Sequence, residues 1–126
     1  MTHRLAWSLF GLHFLALLVG TQMPNAWRNG VEHSLNVPFS LSSWAHFVVF
    51  CGMSLLLMMR PLACPARWVL LLALTLALLT EALQFLAVDR HPRLLDVGID
   101  MAGAILGAAV MVVCRRWADS ACPSAR

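Results

Sequence analysis

"WVLLLALTLALLTEALQFLAV", residues 68–88, is 21 residues long and carries a single formal charge, Glu81. A helix rises ~1.5 Å per residue and the hydrocarbon core of a bilayer is ~30 Å thick, so about 20 apolar residues cross it. This stretch has that length and predicts a membrane span. Three more apolar runs flank it, at about Leu5–Gly20, Leu41–Met59 and Leu94–Val113. Of the 126 residues, 60% are hydrophobic and 12% charged, too little polar surface to cover a soluble domain. The expectation is all-α: a four-helix transmembrane bundle forming one unit over residues 1–126.

The first run is the shortest, and Trp7, Ser8 and His13 dilute it. His3 and Arg4 precede it, as in a secretory signal, but "LLVGTQMPNA" offers no small-x-small cleavage site. It is read as an uncleaved span. Orientation follows from the nine basic residues, all arginine. Four spans put Arg4, Arg60, Arg67, Arg115, Arg116 and Arg126 on one side and Arg28, Arg90 and Arg93 on the other. The arginine-rich side is expected to be cytoplasmic, with both termini. Trp7, Trp68 and Trp117 then mark the inner boundary, Trp27 and Trp44 the outer one. The net charge of +3 is a consequence of this topology and does not indicate nucleic-acid binding.

Little else along the chain suggests chemistry. Cys51, Cys64, Cys114 and Cys122 show no CxxC spacing and read as apolar fillers or incidental thiols. "RPLACPAR" is a tight turn between spans two and three, and Pro92 in "DRHPR" separates spans three and four. The loop from about Thr21 to Ser40 reads as interfacial. No cofactor or metal site is expected.

Polar groups instead gather at the outer ends of the last two spans. Glu81 lies eight residues before Asp89, ~12 Å of helix, and Asp100 seven after Arg93, ~10 Å. An antiparallel hairpin brings both carboxylates to similar depth within the outer leaflet. An ionised side chain at the bilayer centre costs about 2.5–3.5 kcal/mol on insertion scales, so these should face protein or a wet cavity. Asp96, Asp100, Gly103 and Gly107 fall within a ~60° arc of one helix. Ala73, Ala77, Glu81 and Gln84 share a face of the other. The simplest arrangement sets glycine against alanine below and carboxylates beside the amide above, with His46 entering at similar depth. Bland readings stand beside this one. GxxxG mostly signifies packing, Asp89–Arg90 and Arg93–Asp96 make ordinary interfacial pairs, and a lone His46 is more often structural than a ligand.

"WAHFVVF", "EALQF" and an arginine followed by "LLDVGIDMAGAILG" resemble the VanZ-like family of small bacterial membrane proteins. The family pattern runs H-F-x-x-F/Y, E-x-x-Q, P-G-R and D-x-x-x-N/D-x-x-G-x-x-x-G. It falls here on His46, Phe47 and Phe50, then Glu81 and Gln84, then Arg90, then Asp96, Asp100, Gly103 and Gly107. Ser43 replaces a common lysine, Val88-Asp89 replaces Pro-Gly, and Asp100 stands where asparagine is commoner. The family's namesake is associated with low-level resistance to teicoplanin, a glycopeptide that binds cell-wall precursors outside the membrane. The resemblance thus implies an envelope protein of the bacterial inner membrane.

Three functions are expected to compete. The first is a non-enzymatic outward-facing pocket for a lipid headgroup, a lipid-linked cell-wall precursor or a lipophilic antibiotic. In it Arg90 and Arg93 would meet phosphate, while His46, Glu81, Gln84, Asp96 and Asp100 shape the site. The second is a membrane enzyme with Glu81 and His46 as acid–base pair or metal site. The third is a structural subunit whose polar network only fixes packing.

Overall fold

The computed structural model describes residues 2–22, 30, 41–84 and 94–121. Four helices dominate these residues: α1 (His3–Gln22), α2 (Leu41–Met58), α3 (Ala66–Gln84) and α4 (Leu94–Ala121). No strand occurs among them. Three segments, His3–Gly20, Ala66–Gln84 and Leu94–Ser120, are long and apolar enough to cross a membrane, while α2 holds a shorter apolar stretch, Ser43–Met58. At 18 residues α2 is still ~27 Å long, close to the hydrocarbon thickness. The fourth helix runs well past the expected Val113. Its 28 residues reach ~42 Å, so its "RRWADSA" end extends beyond the hydrocarbon.

Burial is inverted relative to a soluble bundle. Leu12, Leu15, Leu71, Leu78 and Leu79 are exposed, while His46, Ser54, Thr80, Glu81, Gln84 and Asp100 are buried. Lipid solvates leucine as well as a protein interior does, so apolar side chains gain little by turning inward. Helix association then rests on close packing of small residues and on internal polar contacts. The inversion follows from the medium the sequence is written for.

The widest interface joins α2 to α4, then α3 to α4 and α1 to α2. α2 and α4 run parallel, and their register is constant: His46 meets Asp100, Phe47 meets Gly103, Cys51 meets Gly107 and Met58 meets Arg115. A Cβ added at Gly103 would collide with the Phe47 backbone carbonyl. One at Gly107 would lie 2.5 Å from the Cys51 oxygen and 3.1 Å from the Ser54 Cβ. Only glycine permits this approach. The pairing corrects one expectation, since the glycine stripe packs on α2 and not on Ala73 and Ala77 of α3. Those alanines are buried in the upper apolar cluster with Leu17, Phe50, Met53, Leu76 and Ala104.

The lower half, where α2 ends and α3 begins, is apolar. Leu57, Met58, Val69 and Ala108 form its core. The Arg115 guanidinium donates to the carbonyl of Met58, the last residue of α2, placing a cation where the helix dipole ends. The connection from Met59 to Pro65 contains a cis Arg60–Pro61 bond, and Ala63 adopts φ 48°, letting the Cys64 N–H reach the Leu57 carbonyl. Arg67 lies over the Trp68 ring at 5.8 Å, an interfacial pairing of cation and aromatic. The first span is held differently. His13 Nδ1 donates to Leu9 O at 2.9 Å, and its ring lies against Gly52 of α2, where a Cβ would come 2.8 Å from Nε2.

Candidate functional site

The site lies at the upper end of the bundle, where α2 and α4 begin and α3 finishes. His46 is five residues beyond the start of α2 and Asp100 six beyond the start of α4, so parallel helices present them at one depth. His46 Nδ1 and Asp100 Oδ1 are 3.0 Å apart, and both side chains are almost fully buried. With a carboxylate as acceptor, Nδ1 carries the proton and Nε2 is the second functional nitrogen. Each ionisable group thus meets the other inside the bundle, where an isolated one would be costly.

α3 brings the second pair. Glu81 and Gln84 lie three apart on one helix, and Gln84 Nε2 donates to Glu81 Oε1 at 3.1 Å, both residues buried. Thr80 satisfies its own hydroxyl locally, donating to Ala77 O at 2.9 Å. Asp96, in the first turn of α4, is a favourable charge at a helix N-terminus and needs no further role to explain it. It nonetheless joins Asp100 and Glu81 as the third carboxylate acting electrostatically on the His46 imidazole. Of the expected residues, His46 meets Asp100 and Glu81 meets Gln84, while Asp96 and Glu81 act on the imidazole through charge alone. Arg90 and Arg93 lie outside the described residues.

One atom in the cluster stands out. Asp100 Oδ2 is buried and has no hydrogen-bond partner among the described residues. Leaving a buried polar atom unmet costs about 1–3 kcal/mol, more for a charged group. Beside the pair, Ser43, Trp44, Phe47 and Ile99 line an open groove of ≈ 270 Å³ whose surface is almost wholly apolar. Sequence reading missed this groove. Its signal is the i, i+3 spacing of Trp44 and Phe47, which alone says only that two aromatics share a face; their rings meet edge-on at 6.0 Å.

No group of three or more His, Cys, Asp or Glu side chains among the described residues is arranged to hold a metal ion. Cys51, Cys64 and Cys114 are free thiols. What the arrangement offers is a buried, oriented imidazole, carboxylates around it and an acceptor awaiting a donor.

No curated protein and no solved structure matches the chain. A family model, VanZ/LLP1, matches residues 5–115, which takes in His46, Glu81, Gln84, Asp96, Asp100 and both glycines of the seam. With the match running from the first helix into the last, the chain belongs to the VanZ/LLP1 family.

Proposed function

We propose that this is a multi-pass protein of the bacterial inner membrane that acts in the cell envelope. Its upper polar cluster faces outward and recognises a polar group borne by a lipid, whether a headgroup or a lipid-linked cell-wall precursor, and so bears on glycopeptide susceptibility. Both termini lie in the cytoplasm on this reading, by the excess of arginine at that end. The supporting observation is Asp100: a buried carboxylate, held by His46, with one oxygen that has no partner among the described residues. An intramembrane ionisable group is a functional candidate by default.

The test is lipid retention by native mass spectrometry, comparing wild type with Asp100→Ala and Arg90→Ala. Retention should fall in both. Unchanged lipid occupancy in both variants would leave the cluster with a packing role only. A reporter fused to the carboxyl terminus tests orientation, and it should read as cytoplasmic.

The His46–Asp100 hydrogen bond also favours a second reading. A carboxylate that fixes an imidazole tautomer is the arrangement a general base uses. On that reading Glu81→Gln or His46→Ala abolishes turnover of an envelope lipid while leaving its binding intact.

A further inference from the structure

We infer that the ligand is a phospholipid with a primary ammonium headgroup, one of whose acyl chains lies in the groove of Trp44, Phe47 and Ile99 while the ammonium donates to Asp100 Oδ2. This rests on the ligand-binding reading above and names the ligand's chemistry.

The first ground is the kind of atom left unmet. Asp100 Oδ2 is an acceptor, so only a donor satisfies it. Phosphate and ester oxygens are acceptors themselves and leave it as it is, and the hydroxyls of a glycerol headgroup donate without bringing a positive charge. A quaternary ammonium brings charge without an N–H. A primary ammonium brings both, with three donors on a compact cation.

The second ground is the local field. Asp100, Asp96 and Glu81 all act on the His46 imidazole, so three acidic side chains share the surroundings of one basic one. Of the near donors, His46 Nδ1 is engaged with Asp100 Oδ1 and Gln84 Nε2 with Glu81 Oε1. The site complements a positive group.

The third ground is the groove. Phe47 follows His46 in α2 and Ile99 precedes Asp100 in α4, so the apolar wall lies at the depth of the polar pair, on the neighbouring face of each helix. At ≈ 270 Å³ the groove falls just under the size of a drug-sized pocket, enough for part of one chain. A polar receptor beside an apolar wall, in a helix pair read as membrane-embedded, describes an amphiphile. Entry requires the upper ends of α2 and α4 to part slightly. The glycine contacts that hold the helices lie below, at Gly103 and Gly107.

Delipidated full-length protein, presented with phosphatidylethanolamine, phosphatidylcholine or phosphatidylglycerol of identical acyl chains, tests this by native mass spectrometry. Phosphatidylethanolamine should be retained about tenfold over the other two, the ratio one charge-assisted hydrogen bond supports. Asp100→Asn keeps the shape and removes the charge, and should bring that preference to within about twofold. Ile99→Trp fills the groove and should lower retention of all three lipids together, preference intact. Equal or better retention of phosphatidylcholine or phosphatidylglycerol by wild type overturns the inference, as does a preference that survives Asp100→Asn. Retention that depends on Asp100 without headgroup preference sinks this inference alone; no Asp100-dependent retention sinks the ligand-binding reading with it.

Discussion

The seam between α2 and α4 is built in two ways along its length. Below, Gly103 and Gly107 bring the backbones of Phe47 and Cys51 so close that no side chain fits, and Ser54, Ala104 and Ala108 fill the remaining space. Above, one turn from Gly103, the same helices in the same register enclose a histidine and an aspartate. The lower part is what association in lipid needs: small residues, close approach and no ionisable group. The upper part joins the helices through a hydrogen bond between two ionisable groups, a costlier device than an apolar pair. Polar groups retained where packing does not require them are where a membrane protein's function is to be sought.

That contrast can be broken from either side. The largest effect should come from Gly103→Leu, whose side chain must displace the Phe47 backbone. Overpacking typically costs about 1–3 kcal/mol, and a backbone collision lies at or above the top of that range. Size-exclusion chromatography in detergent should find no monodisperse folded protein. Asp100→Ala comes next. Removing one partner of a buried pair costs about 3–5 kcal/mol, because the other is left unmet; the melting temperature should fall, yet some folded protein should survive. Arg115→Ala removes the side-chain donor at the Met58 carbonyl and should cost about 1 kcal/mol in thermal denaturation, without touching lipid retention. Smallest of all is Gly98→Ala. Nothing lies within 4 Å of the new methyl group, so stability should stay within about 1 kcal/mol of wild type, helix propensity favouring alanine.

The fold was readable because hydropathy and helix length are properties of each segment alone. α1 and α2 fall within two residues of the expected ends. α4 overruns Val113 because hydropathy marks where hydrocarbon stops, and "RRWADSA" continues a helix through the interface without being apolar. Which helix meets which was not readable. Periodicity put Asp100, Gly103 and Gly107 on one face, as the packing has them, but it carries no information about what that face meets. Sequence neighbours suggested α3; the glycines pack on α2, a helix more than 40 residues away in the chain. The same limit explains His46. Its depth was evident from its place in the span, but its bond to Asp100 depends on the parallel α2–α4 register, which only the packed bundle defines. His13 drew no role from the sequence, and its seat against Gly52 is likewise a fact of packing.

The most direct test pairs stability with lipid retention in the double variant His46→Leu/Asp100→Val. Replacing a buried ionic pair with apolar residues of similar volume is often neutral, or stabilising by about 1–4 kcal/mol. If the upper seam serves a ligand, the melting temperature in detergent holds or rises while lipid retention is lost. A variant that unfolds readily yet keeps its lipid would show instead that His46 and Asp100 hold the bundle together and recognise nothing.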